Sequence, residues 1–204
     1  MASRENKQFE KQFKEKGFRS QRRYPNEALL QFLAGSYFGL SPRQRRKIKC
    51  LELGCGSGAN LWAIAKEGIS AYGLDNAPTG IRLCRKMLKK WGVSATLTLG
   101  DLRHLPYPNN HFDAIVDVVS MQHTDLEGHK ESYREVFRCL KSGGRFFQWH
   151  LGDQSVSFKK SGGRRLDRFT VDNISNPEVP LHGNGLTCFL SVNQACKMIE
   201  GGGI

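Results

Sequence analysis

The sequence predicts an α/β domain built on a mostly parallel sheet with helices on both faces. Between residues 48 and 151, short apolar segments of strand length alternate with longer segments that have helical periodicity. A glycine-rich turn joins the first of these strands to the first of these helices. Hydrophobic residues make up 39% and charged residues 25% of the 204 residues, which is typical of a folded domain.

The elements of this core follow from local patterns. The runs rich in β-branched and aromatic residues predict five strands, of which the fourth is the most apolar. Pro78 suits the first turn of a helix and Gly92 suits its end. Ser191 is a suitable N-cap for the last helix. The predicted strands are 48–53, 71–74, 95–99, 112–119 and 145–151, and the predicted helices are 59–67, 78–91, 129–140 and 192–199.

Residues 1–47 predict a helical segment ahead of the core, with a second helix over 26–37. Phe9 and Phe13 are four residues apart, so a helix would place both rings on one face, and Phe18 follows them. Two interpretations remain open: the phenylalanines dock this helix on the domain, or the helix is a lid over a binding site.

The C-terminal part of the sequence departs from the alternation. Residues 152–190 are rich in Ser, Gly, Lys, Arg, Asn and Pro, which predicts an insertion or loop on the substrate side of the core. Residues 191–204 then supply one helix and an incomplete C-terminal end.

Composition narrows the class of protein. Lys and Arg exceed Asp and Glu by 31 to 19, a net charge of +12, which is compatible with nucleic acid but does not establish it. No apolar run reaches 18 residues, so we expect no membrane span. Six cysteines without a C-x-x-C pair indicate reduced thiols, no metal site and a cytoplasmic location.

The strongest functional signal is the segment Glu52–Gly58, between the first strand and the first helix. Its glycines allow a tight turn and a close approach of the backbone to a ligand at the helix N-terminus. Asp75 lies at the end of the second strand, where a carboxylate can accept hydrogen bonds from both hydroxyls of a ribose. The alternative is a plain strand-to-helix turn with a helix-capping aspartate.

Further motifs carry a family resemblance over residues 48–151. The residues that carry it are ELGCGSG (52–58), YGLD (72–75), Gly100-Asp101-Leu102, LPYPNNHFDAIV (105–116) and KSGGRF (141–146). With these motifs the chain resembles the class I S-adenosylmethionine-dependent methyltransferases of the small-molecule type, whose minimal domain has a Rossmann-like, doubly wound sheet.

The resemblance implies S-adenosyl-L-methionine as the cofactor and assigns roles to the matching residues. The glycine-rich turn would hold the methionine part, Asp75 with Asn76 the ribose, and Asp101 with Leu102 the adenine. The segment after the fourth strand would line the methyl end. The cofactor residues implied are Glu52, Gly54, Cys55, Gly56, Ser57, Gly58, Asp75, Asn76, Asp101, Leu102, Val118, Val119 and Ser120.

Two departures leave alternatives open. The family sheet has seven strands, whereas this sequence stops before the last two, so its last strand would expose an edge that a partner chain could pair with. Gly54-x-Gly56-x-x-Ala59 also fits a looser nicotinamide fingerprint, which keeps an NAD(P)-dependent oxidoreductase as an alternative. A protein that binds the cofactor without catalysis is another.

The acceptor side is less well defined. Methyl transfer is an in-line displacement, and an oxygen or nitrogen acceptor can also need a general base. His123 is the best-placed candidate, with His150 second, although both also fit a packing role. Arg23, Tyr24 and Asn26 lie where such families often carry a lid. We expect a small-molecule acceptor rather than RNA or protein, because the Asn/Asp-Pro-Pro-aromatic motif of base methylation does not follow the fourth strand.

Overall fold

A computed structural model describes residues 4–201. The described residues form the helices α1 Arg4–Lys16, α2 Glu27–Leu33, α3 Pro42–Arg45, α4 Leu61–Lys66, α5 Pro78–Trp91, α6 Leu126–Cys139, α7 Val156–Lys159 and α8 Val192–Gly201. They form the strands β1 Lys49–Leu53, β2 Ser70–Asp75, β3 Thr96–Leu99, β4 Phe112–Val118, β5 Leu140–Trp149, β6 Arg164–Arg165, β7 Thr170–Asp172 and β8 Thr187–Cys188.

The central sheet is parallel and has the order β3-β2-β1-β4-β5, which confirms the predicted α/β fold. The chain adds β2 and β3 on one side of β1 and then β4 and β5 on the other. The order therefore reverses between β1 and β4, and a crevice opens at the carboxyl ends of the strands at this point. Leu53 pairs with both Leu74 and Asp117, so β1, β2 and β4 end at nearly the same level.

Alternate residues of the strands pack against helices on opposite faces of the sheet. Cys50 and Val116 belong to the cluster under α2, α4 and α5, whereas Leu51 and Ile115 belong to the cluster under α6 and α8. Both faces of β1 and β4 are thus buried, which explains why apolar residues occur on both faces of each strand and do not alternate with polar ones.

Two elements of the core begin earlier than the sequence predicts. Helix α6 starts at Leu126 because the Asp125 side chain accepts a hydrogen bond from the Gly128 N–H (2.8 Å). Strand β5 starts at Leu140 instead of the predicted position 145, and its pairing with β4 shifts register between Phe112 and Ala114. β5 lies at one edge of the sheet, and its pairing with a second chain stays a prediction.

The segment 152–190, which the sequence predicts to be an insertion or loop, has secondary structure of its own. It contains α7 and the three-stranded antiparallel sheet β6-β7-β8. Five buried apolar side chains form a separate cluster there: Phe158, Val171, Ile174, Val179 and Phe189. These residues are spread among turn-forming residues over more than 30 positions, so no local period reveals them.

In the part of the chain that the structure describes, none of the helices has the length and apolar character that crossing a membrane requires.

Stability should fall in mild acid because of His129. The ring is fully buried, its Nε2 makes no hydrogen bond to a described residue, and desolvation lowers its pKa to about 4 from 6.5. Above pH 6.5 the His129 ring is neutral in both the folded and the unfolded protein. Between pH 6.5 and 4 the unfolded chain takes up the proton first, so the free energy of unfolding decreases by about 3 kcal/mol.

Urea unfolding of the wild type and His129→Gln across pH 4–8 measures this contribution. The difference between the two free energies should change by about 3 kcal/mol over that range. The exposed His182, changed to Gln, is the control for the loss of a histidine at the surface. A pH-independent difference for His129→Gln would contradict the assignment.

Candidate functional site

A cavity of about 340 Å³ lies at the carboxyl edge of the sheet, where the strand order reverses. Its walls come from the ends of β1, β2 and β4, from the turn after β3, from α1 and from the segment before β8. Of the predicted cofactor residues, those on the wall are Glu52, Gly54, Cys55, Asp75, Asn76, Asp101, Leu102, Val118, Val119 and Ser120.

Glu52 places a buried carboxyl group in this wall. One oxygen, Oε1, accepts a hydrogen bond from Asn60 Nδ2 (2.6 Å), while Oε2 is buried and has no hydrogen-bond partner among the described residues. Burial raises the pKa to about 8, and the hydrogen bond from Asn60 and the charge of Arg22 offset only part of that effect. A cationic ligand group would satisfy Oε2 and restore the ionised form.

The glycine-rich turn presents backbone to the cavity. Gly54 has φ +59°, and a Cβ there would overlap the Ser120 side chain. The Gly56 N–H donates to Asp75 Oδ2 (2.7 Å), and the Ser57 N–H donates to Gln21 Oε1 (3.0 Å). Gly56, Ser57 and Gly58 therefore support the turn from behind the wall and do not line the cavity.

Asp75 is fixed at the end of β2. Its two oxygens accept hydrogen bonds from the N–H groups of Gly56 (2.7 Å) and Ala77 (2.8 Å). Burial raises its pKa, and these backbone hydrogen bonds oppose the increase. Because each carboxylate oxygen has a further lone pair, Asp75 retains the capacity to accept hydrogen bonds from a ligand.

Asp101 is engaged by Arg103. The guanidinium of Arg103 donates to both carboxylate oxygens, with Nη2···Oδ2 at 2.6 Å, and the Arg103 N–H donates to Oδ1 (3.0 Å). Partial burial raises the pKa of Asp101, but the hydrogen bonds from Arg103 outweigh it and hold the pKa below its ordinary value. A ligand amino group would share this carboxylate with Arg103.

His123 lies at the opposite side of the cavity in the 3₁₀ turn Met121–His123. Its Nδ1 is 3.2 Å from the Leu186 carbonyl oxygen, which can only accept, so Nδ1 carries the proton and Nε2 is the basic nitrogen. The ring meets the Phe9 ring edge-on, with centroids 4.8 Å apart. The small sheet and α1 thus orient this imidazole from two sides.

Helix α1 covers the cavity. Phe9 and Phe13 line it, and Phe13 also packs with Ala77 and Leu83, so α1 fits both interpretations of the phenylalanine spacing. Glu10 holds α1 in place by accepting hydrogen bonds from Thr79, from the N–H (2.9 Å) and from Oγ1 (2.7 Å).

Four residues predicted for the substrate side do not line the cavity. Tyr24 is 65% exposed and contacts Trp62 and Trp91, and the Arg23 carbonyl accepts from Trp62 Nε1 (3.2 Å). Asn26 is the N-cap of α2 through a hydrogen bond from the Leu29 N–H (3.0 Å). His150 Nε2 contacts the Leu190 carbonyl oxygen (2.9 Å) beneath the small sheet. Asn26 is thus used by secondary structure, and Tyr24 and His150 make contacts away from the cavity.

Several wall residues were not predicted as site residues. Gln21 and Arg22 precede the predicted lid residues by one or two positions, and Asn60 follows the glycine-rich turn that was identified. Leu186 comes from a segment without a local signal, and only the folding of the small sheet brings it to His123. The unpredicted wall residues are Gln21, Arg22, Ala59, Asn60, Leu74, Gly100, Arg103, Thr124, Asp125 and Leu186.

Among the described residues, no group of three His, Cys, Asp or Glu side chains is arranged to hold a metal ion.

Comparison with known proteins gives the family. A family model described as "Methyltransferase domain" matches residues 50–144. The sterol 24-C-methyltransferase of Aspergillus fumigatus is 34% identical over 149 residues, which are 70% of this chain and 38% of that protein. The cycloartenol-C-24-methyltransferase 1 of Oryza sativa is 30% identical over 162 residues, 76% of this chain and 43% of that protein.

The chain spans about two fifths of the length of these curated relatives. Among solved structures, a protein of Pyrococcus horikoshii has the same fold, with a TM-score of 0.65 and 19% identity. That similarity covers 90% of this chain and 87% of the other.

Changing Glu52 to Gln should stabilise the ligand-free protein at alkaline pH. Because the folded pKa is about 8 and the ordinary value is 4.5, the wild type loses stability as pH rises from 4.5 to 8. A neutral amide avoids that loss, so the variant should be more stable at pH 8 by on the order of 4 kcal/mol, with little difference below pH 4.5.

Chemical denaturation at pH 4.5 and pH 8 checks this expectation. The exposed Glu178, changed to Gln, serves as the control for the same substitution at the surface. Equal stability of the wild type and Glu52→Gln at pH 8 would show that Glu52 is ionised and compensated in the folded protein.

Proposed function

Because the chain belongs to the class I S-adenosylmethionine-dependent methyltransferases, we propose that its cavity binds S-adenosylmethionine and transfers the methyl group to a small apolar acceptor. The observation that carries the proposal is the buried Glu52 carboxyl group, whose Oε2 lacks a partner among the described residues. A ligand with an ammonium and a sulfonium group matches a wall that also contains Asp75 and Asp101.

The residues present fit this cofactor. Glu52 and the backbone of the glycine-rich turn would hold the methionine part, Asp75 with Asn76 the ribose hydroxyls, and Asp101 with Leu102 the adenine. Val118, Val119 and Ser120 would line the methyl end. When bound, the cofactor supplies a methyl group on a positively charged sulfur, which leaves as a neutral thioether.

The chain's own residues would supply position and a base. His123 Nε2 would accept the proton that the acceptor loses when it is methylated, because the Leu186 carbonyl keeps the proton of the imidazole on Nδ1. Phe9 and Phe13 would exclude water from the cavity, which strengthens the interactions of the carboxylates inside it.

The form of the cavity favours a small, apolar acceptor over RNA or protein. Phe9, Phe13, Val119 and Leu186 supply apolar wall on the side of His123, and α1 covers the site from above. The sterol-type names of the curated relatives agree with an apolar acceptor. We therefore propose a sterol-like or comparably apolar molecule as substrate.

We also propose a cytoplasmic location. All six cysteines are free thiols, and five of them are buried. Reduced thiols of this kind are typical of proteins from reducing compartments.

Changing Asp75 to Ala should weaken the affinity for S-adenosylmethionine by about 100-fold or more, because the two ribose hydroxyl groups would lose a charged hydrogen-bond acceptor. Calorimetric titration with S-adenosylmethionine and S-adenosylhomocysteine measures the affinity of each variant, and titration with NAD(H) and NADP(H) tests the alternative cofactors. Glu178→Ala is the control for removal of a surface carboxylate, and Asp75→Asn keeps the side-chain volume. Binding of a nicotinamide cofactor alone would refute the methyltransferase proposal.

Changing His123 to Gln should lower kcat by about 100-fold and should change the affinity for the cofactor much less. The assay follows transfer of a tritiated methyl group to cycloartenol and to a panel of smaller phenols and amines. His182→Gln is the control for an exposed histidine. Turnover by His123→Gln above half the wild-type rate would exclude His123 as the base, and binding without turnover of any acceptor would favour a protein that only binds the cofactor.

A further inference from the structure

The turn that follows β4 has a strained backbone. Val119 has φ +63°, in the left-handed region that β-branched residues rarely adopt, because the branched Cβ crowds the neighbouring backbone. Its side chain lines the cavity and packs against an apolar cluster. Such a conformation persists only where surrounding interactions enforce it, and it is often found at functional sites.

Asp117 supplies the enforcing interaction. Its side chain is fully buried, and Oδ1 accepts hydrogen bonds from the N–H groups of Ser120 (2.9 Å) and Met121 (3.1 Å). The Val119 N–H donates to the Trp149 carbonyl oxygen (2.9 Å) on β5. Three successive N–H groups are therefore tied down, two of them by one carboxylate oxygen.

The second oxygen of Asp117 is held from the opposite side. Gln148 Nε2 donates to Oδ2 (3.3 Å), and Gln148 Oε1 accepts from the Tyr133 hydroxyl (2.7 Å). A chain of hydrogen bonds thus connects Tyr133 on α6, through Gln148 on β5, to Asp117 at the end of β4. The turn cannot relax without breaking it, since an unpaired buried group is costly.

The turn determines where two cavity residues lie. Ser120 Oγ donates to the Gly54 carbonyl oxygen (3.2 Å), which joins the turn directly to the glycine-rich segment. The His123 N–H donates to the Ser120 carbonyl oxygen (3.1 Å), so the imidazole is placed relative to the same residue. Any movement at Val119 would shift both sides of the site.

We propose that Asp117, which does not line the cavity, is a positioning residue that enforces the strained turn at Val119 and so fixes Ser120 and His123 at the site of methyl transfer. This role rests on the proposed function. If Asp117 only filled the core, removing its carboxylate would have the same effect whether residue 119 is valine or glycine. If Asp117 enforces the strained turn, the effect should be smaller with glycine at 119, because glycine adopts φ +63° without strain.

A double-mutant cycle with S-adenosylhomocysteine as the probe tests the proposal. Its affinity is measured calorimetrically for the wild type, Asp117→Ala, Val119→Gly and the double variant, each below its unfolding temperature. We expect Asp117→Ala to weaken binding about 30-fold in the wild type but threefold or less in the Val119→Gly background. Asp117→Asn should bind within about fivefold of the wild type, because its Oδ1 can still accept from both N–H groups.

Asp113 provides a matched control on the same strand. It also accepts a backbone hydrogen bond, from the Lys49 N–H (2.8 Å), and pairs with Lys141, but it lies at the opposite end of β4 from the cavity. Asp113→Ala should leave the affinity within about threefold of the wild type. If Asp117→Ala does not fold, the comparison of Asp117→Asn with Asp117→Leu replaces it in both backgrounds.

The outcomes separate the two proposals. The positioning role would be overturned if Asp117→Ala weakened the affinity for S-adenosylhomocysteine equally in the wild type and in the Val119→Gly background. It would also be overturned if Asp117→Ala weakened that affinity no more than Asp113→Ala does. In both of these cases the wild type still binds the probe and the proposed function stands. A wild type that does not bind S-adenosylhomocysteine would refute the proposed function and this role together.

Discussion

Three carboxyl groups are buried at the carboxyl edge of the sheet, and the rest of the site depends on how the fold accommodates them. Glu52 is held by Asn60, Asp75 by two backbone N–H groups after β1 and β2, and Asp117 by two N–H groups after β4. Burial without such partners would be prohibitive. The hydrogen bonds that make their burial possible also set the conformation of the turns that form the cavity wall.

The cavity is closed by two elements that lie outside the central sheet. Helix α1 covers it and is attached to the start of α5 through Glu10 and Thr79, while the small sheet contributes the carbonyl oxygen of Leu186. These elements meet around His123, which contacts Phe9 on one side and Leu186 on the other. The imidazole is thus oriented by parts of the chain more than 60 residues away on either side.

Charge is distributed unevenly between the surface and the site. The sequence has a net charge of +12, whereas on the cavity wall carboxyl groups outnumber guanidinium groups: Glu52, Asp75, Asp101 and Asp125 against Arg22 and Arg103. Arg103 neutralises Asp101, but Oε2 of Glu52 meets no donor among the described residues. A cation in the cavity would complete the hydrogen bonding that the fold leaves incomplete, which agrees with membership of a family that binds a sulfonium cofactor.

The parallel sheet, the order of its motifs and the strand ends on which Glu52, Asp75 and Asp101 lie could all be predicted from the amino-acid sequence. Those signals are local: apolar runs, a glycine-rich turn and carboxylates directly after strands. The fold was needed to show that Leu186 contacts His123, that Arg22 rather than Arg23 reaches the cavity, and that the segment 152–190 contains a small sheet. Each of these depends on contacts between residues far apart in the chain, and such contacts leave no period or spacing in the sequence that could be read beforehand.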